Sequence, residues 1–174
     1  EENEQADVGG GFVASRVIFF KEPDPLRLTR EQVVDYVDTG WRWAQEAHAA
    51  DSAARYLFFM WNCGGRGGAS LPHGHAQVML GRGRHYAKVE RLRRAALSYR
   101  DQYGTSYFDD LYRVHHALGC GFEKNGVRVL AHLTPVKERE VILIAQELGQ
   151  SLEERLYEVL ACFRDLMGVT SFNV

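Results

Sequence analysis

The stretch Asn62 to Gln77 (N-C-G-G-R-G-G-A-S-L-P-H-G-H-A-Q) gathers the groups best able to do chemistry. In an extended chain, side chains alternate between faces, with alternate residues ~7 Å apart. Extended backbone from Leu71 to Leu80 therefore puts His73, His75, Gln77 and Met79 on one face. Gly74, Ala76, Val78 and Leu80 fall on the other, which suits packing. Imidazole is largely neutral near pH 7 and can attack a phosphoryl centre directly. Attack splits one hard displacement into two easier ones through a covalent intermediate. One ring nitrogen must stay free for this. The other must donate to a fixed acceptor, which sets the tautomer. The glycines at 64, 65, 67 and 68 would let backbone N–H groups turn inward toward an anion. Ser70 adds a hydroxyl and Arg66 a charge, and Gln77 can stabilise charge on phosphoryl oxygens.

The elements around this stretch follow from periodicity. Ala14–Phe20 reads as a strand, and the prolines of 21–28 make a loop. Thr29 opens a helix, with Gln32 as its capping-box partner. Val33, Val37, Trp41, Ala44 and Ala47 form its apolar stripe, although Gly40 costs that helix about 1 kcal/mol relative to Ala. Tyr56–Trp61 is apolar on both faces and predicts a central, doubly buried strand. Residues 86–99 and 108–118 read as helices around Gly104, and 119–126 as a turn-rich joint. Residues 127–133 and 140–145 read as strands. Ser151, with Glu154, predicts the start of a last helix whose Leu152, Leu156, Val159, Phe163 and Leu166 face a core, and 169–174 reads as strand. The expected fold class is α+β: antiparallel sheet with flanking helices.

Composition narrows the function. The 174 residues carry 21 Lys plus Arg against 23 Asp plus Glu, a net charge of −2. That leaves no broad basic footprint for nucleic acid, and the basic run from Arg82 to Arg94 reads as a solvated helical face. No apolar run approaches the ~18 residues of a membrane-spanning helix. The polar, Gly-rich start does not read as a signal peptide, and residues 1–11 read as disordered or trimmed. Three separated cysteines, Cys63, Cys120 and Cys162, predict reduced thiols and a cytoplasmic location. His85, His115, His116, His48 and His132 read as turn or helix-surface residues.

Asn62, Gly64, Gly68, Ser70, His73, His75 and Gln77 stand at the spacing of a known signature: Asn-x-Gly, Gly, Ser, then His-Pro-His-x-Gln. The stretch resembles the active site of the galactose-1-phosphate uridylyltransferase branch of the histidine-triad superfamily. Residues 13–80 resemble its catalytic half. Residues 111–174 more faintly resemble the start of its second domain, best at Gly126-Val127-Arg128-Val129. The implied organisation is a partial catalytic domain over 12–118 and a partial second domain over 119–174.

The resemblance implies roles. His75 would be the nucleophile that accepts a nucleotidyl group, and Gln77 would orient the intermediate. Ser70 would contact phosphate and Asn62 the nucleotide, beside Gly64 and Gly68. His73 would be structural or a metal ligand. A Gln at 77 favours transferases and phosphorylases over hydrolases. The expected substrates are a nucleotide-sugar or dinucleotide and a sugar phosphate, with transfer of UMP in galactose metabolism first. Transfer of AMP on ADP-sugars or diadenosine tetraphosphate, or a non-catalytic nucleotide-binding module, are the alternatives. Family members complete sites across subunits, which implies a homodimer without nucleic-acid or membrane partners. Two departures stand out. Gly74 replaces the Pro between the histidines. The residues here include no Cys pair, and Pro25 stands where zinc-bearing members place a loop His, so zinc has only part of its expected ligand set and no metal ligand is assigned.

Overall fold

The computed structural model describes residues 12–174, so the reading of 1–11 lies outside the described residues. The elements run β1 (Phe12–Phe19), α1 (Arg30–Ala50), β2 (Ala54–Cys63), β3 (His75–Arg82), α2 (Ala87–Tyr103), α3 (Tyr107–Ala117), β4 (Gly121–Lys124), β5 (Val127–Ala131), β6 (Val141–Ile144), α4 (Gln150–Asp165) and β7 (Phe172–Asn173). The class is α+β with two antiparallel sheets, ordered β1-β3-β2-β7 and β4-β5-β6. Two compact units share these elements. Of the described residues, one holds 12–27, Thr39–Glu90 and Thr170–Val174; the other holds Leu28–Asp38 and Arg91–Val169. They are discontinuous in sequence, whereas the reading above drew one boundary at 118/119. The last residues join the first unit because β7 pairs with the end of β2, Asn62 opposite Asn173 and Cys63 opposite Phe172.

In the first unit β3 and β2 are both interior strands, as expected for β2, but only β3 is paired along most of its length on both sides. Val17 and Met60 flank Gln77 from the two sides, while Ile18 and Trp61 flank Ala76. β2 is not doubly buried: it is only half-buried through its middle, and β7 pairs with just its last residues. One sheet face is packed: Ala76, Val78 and Leu80 are at most 2% exposed. Helix α1 begins as read, with the Thr29 N–H donating to Gln32 Oε1 at 2.9 Å and the Gln32 N–H donating to Thr29 Oγ1 at 3.3 Å, a reciprocal cap of about 1 kcal/mol. Its Gly40 has a packing role. A Cβ there would lie 2.9 Å from Val78 Cγ2 and 3.3 Å from Ile18 Cδ1. The helix therefore gives up propensity to approach the sheet closely. Ala44, Ala54 and Leu80 form the centre of the adjoining core, with Trp41 and Trp43 packed against it.

In the second unit Val127 and Val129 share one buried face of β5, and Leu130 is buried on the other. The joint before it contains a strand that the sequence reading missed: β4 pairs with β5 across Asn125-Gly126, both at positive φ (53° and 75°), as a two-residue hairpin turn requires. Helix α4 starts at Gln150, one residue before Ser151, and its N-cap is Gly149, which makes no side-chain cap. Its most buried residues are Glu153 and Arg155, whereas Leu166 is 82% exposed. Leu166 lies beyond the last helical turn, so the stripe read from the sequence stops short of it. His115 is also corrected. It is buried, not on the surface, because both ring nitrogens bond backbone: Nδ1 donates to the Leu111 carbonyl (2.7 Å), and Nε2 accepts the Leu133 N–H (3.1 Å). Among the described residues, no helix is long and apolar enough to cross a membrane.

Candidate active site

β3 begins at His75, later than the sequence suggested; Leu71–Gly74 is a bend that leads into it. The strand thus carries His75 and Gln77 but not His73. Gln77 and Met79, half-exposed, lie on the sheet face opposite the packed Ala76, Val78 and Leu80. His75 opens the strand and is 7% exposed.

The two imidazoles are nevertheless linked. His75 Nδ1 lies 2.9 Å from the His73 carbonyl oxygen. A carbonyl only accepts, so Nδ1 carries the proton and the neutral ring keeps its lone pair on Nε2. Among the described residues none hydrogen-bonds His75 Nε2. His73 turns its own Nε2 onto the Phe20 carbonyl at 2.7 Å. Phe19, opposite His75 in the β1–β3 register, meets both rings: edge-on to His73 (centroids 5.9 Å) and tilted against His75 (5.8 Å). The sequence reading missed Phe19, and only strand register would have found it. Its ring is 58% exposed, so this wall of the site faces solvent.

The glycine-rich loop is built differently from the expected anion cradle. Three of its N–H groups are spent within the loop: Gly67 and Ala69 donate to the Gly64 carbonyl, and Gly68 to that of Gly65. At Gly64 (φ +72°) a Cβ would sit 2.9 Å from Ser171 Oγ, and at Gly67 it would sit 2.6 Å from the Phe172 carbonyl oxygen. These glycines let the loop press onto residues 170–172. Gly68 is required by its φ of +78° alone. Asn62 also serves this junction, accepting from Asn173 Nδ2 at 2.7 Å. Among the described residues none hydrogen-bonds the exposed Ser70 hydroxyl, and Arg66 is exposed. Arg82 pairs with Asp51 at 2.6 Å, which holds the Asp51 carboxyl below its usual range.

A cavity of about 410 Å³ opens between Asp24–Leu26, the end of β2 and the Ala69–Pro72 bend, with Thr170 on its wall. Ser70 lines it; His75 and Gln77 do not. Cys63, also on its wall, is buried, which pushes its thiol up to about 11.

A zinc centre takes four N, S or O donors in tetrahedral array. The described residues do not fit one. No three His, Cys, Asp or Glu side chains converge, His73 Nε2 is held by a backbone carbonyl, and Pro25 offers no donor.

With this geometry in hand, the comparisons fix the fold. The chain superposes on a solved uridylyltransferase with a TM-score of 0.71 at 17% identity, covering 90% of this chain and 54% of that one. A uridylyltransferase mutant gives 0.69 at 17% identity, with 90% and 56% covered. The chain spans about half the length of these solved structures. No family model matches the sequence. No curated protein matches it either. The fold is uridylyltransferase-like.

Proposed function

We propose that the chain carries the nucleophile-bearing part of a nucleotidyltransferase that moves a nucleoside monophosphate through a nucleotidyl-His75 intermediate. The observation that carries this reading is the His75 ring: Nδ1–H is fixed on the His73 carbonyl at 2.9 Å, and Nε2 has no hydrogen-bond partner among the described residues. That is the arrangement an imidazole needs to act as a nucleophile.

In the first step His75 Nε2 attacks the α-phosphorus of a nucleotide-sugar. A P–N bond forms, the bridging P–O bond breaks, and the sugar phosphate leaves. The ring gains positive charge, which the Nδ1–H···O=C bond stabilises. In the second step an acceptor phosphate oxygen attacks the same phosphorus and the P–N bond breaks, returning the neutral ring. Gln77, two residues along the same strand, supplies an amide N–H to the non-bridging oxygens, and Ser70 offers its hydroxyl to a phosphate. UMP transfer to a hexose 1-phosphate, in galactose metabolism, is the first reading; the Asn62-to-Gln77 spacing and the likeness to uridylyltransferases support it. The structural likeness and that motif spacing also support placing the chain in the histidine-triad superfamily; the resemblance implies a homodimer, and the three separated cysteines favour the cytoplasm.

The test is incubation with α-phosphate-labelled UDP-glucose, and with ATP in parallel, followed by acid and base treatment. A base-stable, acid-labile label that is lost in His75→Ala supports the reading. Label from ATP alone would favour the adenylyl alternative. Tight nucleotide binding in calorimetry without label would favour a non-catalytic binding module.

A further inference from the structure

The segment that supplies the His75 acceptor is fastened at both ends of one short contact. The Phe20 N–H donates to the Gly74 carbonyl at 2.9 Å, and the Gly74 N–H donates to the Pro23 carbonyl at 2.8 Å. Between them His73 Nε2 donates to the Phe20 carbonyl at 2.7 Å. Three hydrogen bonds thus join Phe20–Pro23 to His73–Gly74, and the carbonyl that fixes the His75 tautomer lies inside this contact. The Phe20 ring closes it: the side chain is 2% exposed, and a Cβ at position 74 would lie 2.7 Å from Phe20 Cδ2.

We infer that Gly74 is a positioning residue, and that a metal-independent clasp between Phe20–Pro23 and His73–Gly74 holds His75 in its reactive tautomer. Two properties of glycine are needed together. Its N–H makes the bond to Pro23, which a proline at this position cannot make. Its missing side chain lets the Phe20 ring lie against the backbone. The related signature has Pro between its histidines, so the hydrogen bond to Pro23 belongs to this chain's variant of it. The same loop carries Pro25 in place of a zinc-binding His, and the clasp does by hydrogen bonding what a ligand to a metal would do there. This inference rests on the site reading above, but its main readouts do not require turnover.

The experiment uses the full chain, expressed with ¹⁵N-labelled histidine and glycine. Two-bond ¹H–¹⁵N spectra of the wild type are expected to show His75 as a single Nδ1–H tautomer, with the Gly74 amide protected from exchange. Metal analysis after purification in zinc-containing medium is expected to find far less than one zinc per chain, and a chelator should leave the melting temperature unchanged. Gly74→Ala and Gly74→Pro should each give a mixture of His75 tautomers. They should also lower the rate of label transfer about 10²-fold, the cost of a misplacement near 1 Å, with little change in KM. Should both variants fail to fold, wild-type exchange decides: rapid exchange at Gly74 overturns the clasp. A stoichiometric zinc whose removal shifts the His73 ring signals, or an unchanged His75 tautomer in a folded Gly74→Pro, also overturns it. A wild type that shows the tautomer and the protected amide but takes no label leaves the clasp standing and removes the transferase reading instead.

Discussion

His75 donates from Nδ1 to the main-chain carbonyl of His73, two residues earlier, at 2.9 Å. The relationship is local in sequence, yet it depends on the distant residue that follows β1, because His73 is itself held by the Phe20 carbonyl. Tautomer and ring orientation follow from that pair of contacts. The chemistry proposed for the site is the chemistry such a ring can do at phosphorus.

Gln77 lies between Val17 and Met60 in the sheet register, on the strand that His75 opens. Its amide replaces no core contact, so Gln77→Ala should fold normally. Label transfer should slow about 10²–10³-fold, the usual loss for one donor to a developing oxyanion. Quenched time courses of labelling check this; a rate within about twofold of wild type would remove Gln77 from the mechanism.

Gly40 sits where helix α1 meets the sheet. Gly40→Val gains little helix propensity and drives carbon into Val78 and Ile18. Overpacking of this kind costs about 1–3 kcal/mol, or roughly 2–4 °C of melting temperature per kcal/mol in a chain of this size. Thermal unfolding is the measurement, and an unchanged or higher melting temperature contradicts the packing described.

The three thiols should separate by reactivity. Cys162 is exposed, Cys120 half-buried and Cys63 buried with its pKa raised to about 11. A thiol reagent near pH 8 should modify Cys162 first and Cys63 only on unfolding, since the thiolate is the reacting form. Mass spectrometry of the modified peptides reads the order directly.

Glu153 is 4% exposed, and burial, with the Asp38 and Glu154 charges, raises its pKa above the usual carboxylate range. In the window between the unfolded and folded values the folded chain holds a proton that the unfolded chain releases. Stability from this group is therefore lost as pH rises through that window. Glu153→Gln should raise the melting temperature at neutral pH and converge with wild type in acid. Melting curves from about pH 3 to about pH 8 span the carboxylate range; a lower neutral-pH melting temperature for the variant would mean that the charge is stabilising.

The sequence made local rules visible and long-range ones obscure. The Thr29–Gln32 cap, the α1 stripe and the break at Gly104 depend on neighbours a few residues away, and each stands in the structure where periodicity and turn chemistry put it. The Asn125-Gly126 hairpin was equally local and was overlooked because Gly119–Gly126 reads as one turn-rich run. By contrast, the β3 start, the pairing of β3 on both sides and the burial of His115 depend on partners far along the chain: Phe20 and Pro23 for the first, β1 and β2 for the second, Leu133 for the third. Alternation made the shared strand of His75 and Gln77 legible, although His73 falls before that strand begins. The glycines were legible as close-approach positions, but what approaches Gly64 and Gly67 is the 170–172 segment, which no local pattern announces. Phe19 was invisible until register placed it opposite His75.

The central claim is that His75 Nε2 forms a covalent bond to phosphorus. Its most direct test is intact-protein and peptide mass spectrometry of the chain after incubation with UDP-glucose, quenched at alkaline pH to preserve a phosphoramidate. The expected result is a nucleoside-monophosphate adduct that maps to the peptide containing His75, is lost on acid treatment and is absent in His75→Ala. An adduct on any other residue, or an undiminished adduct in His75→Ala, would contradict it.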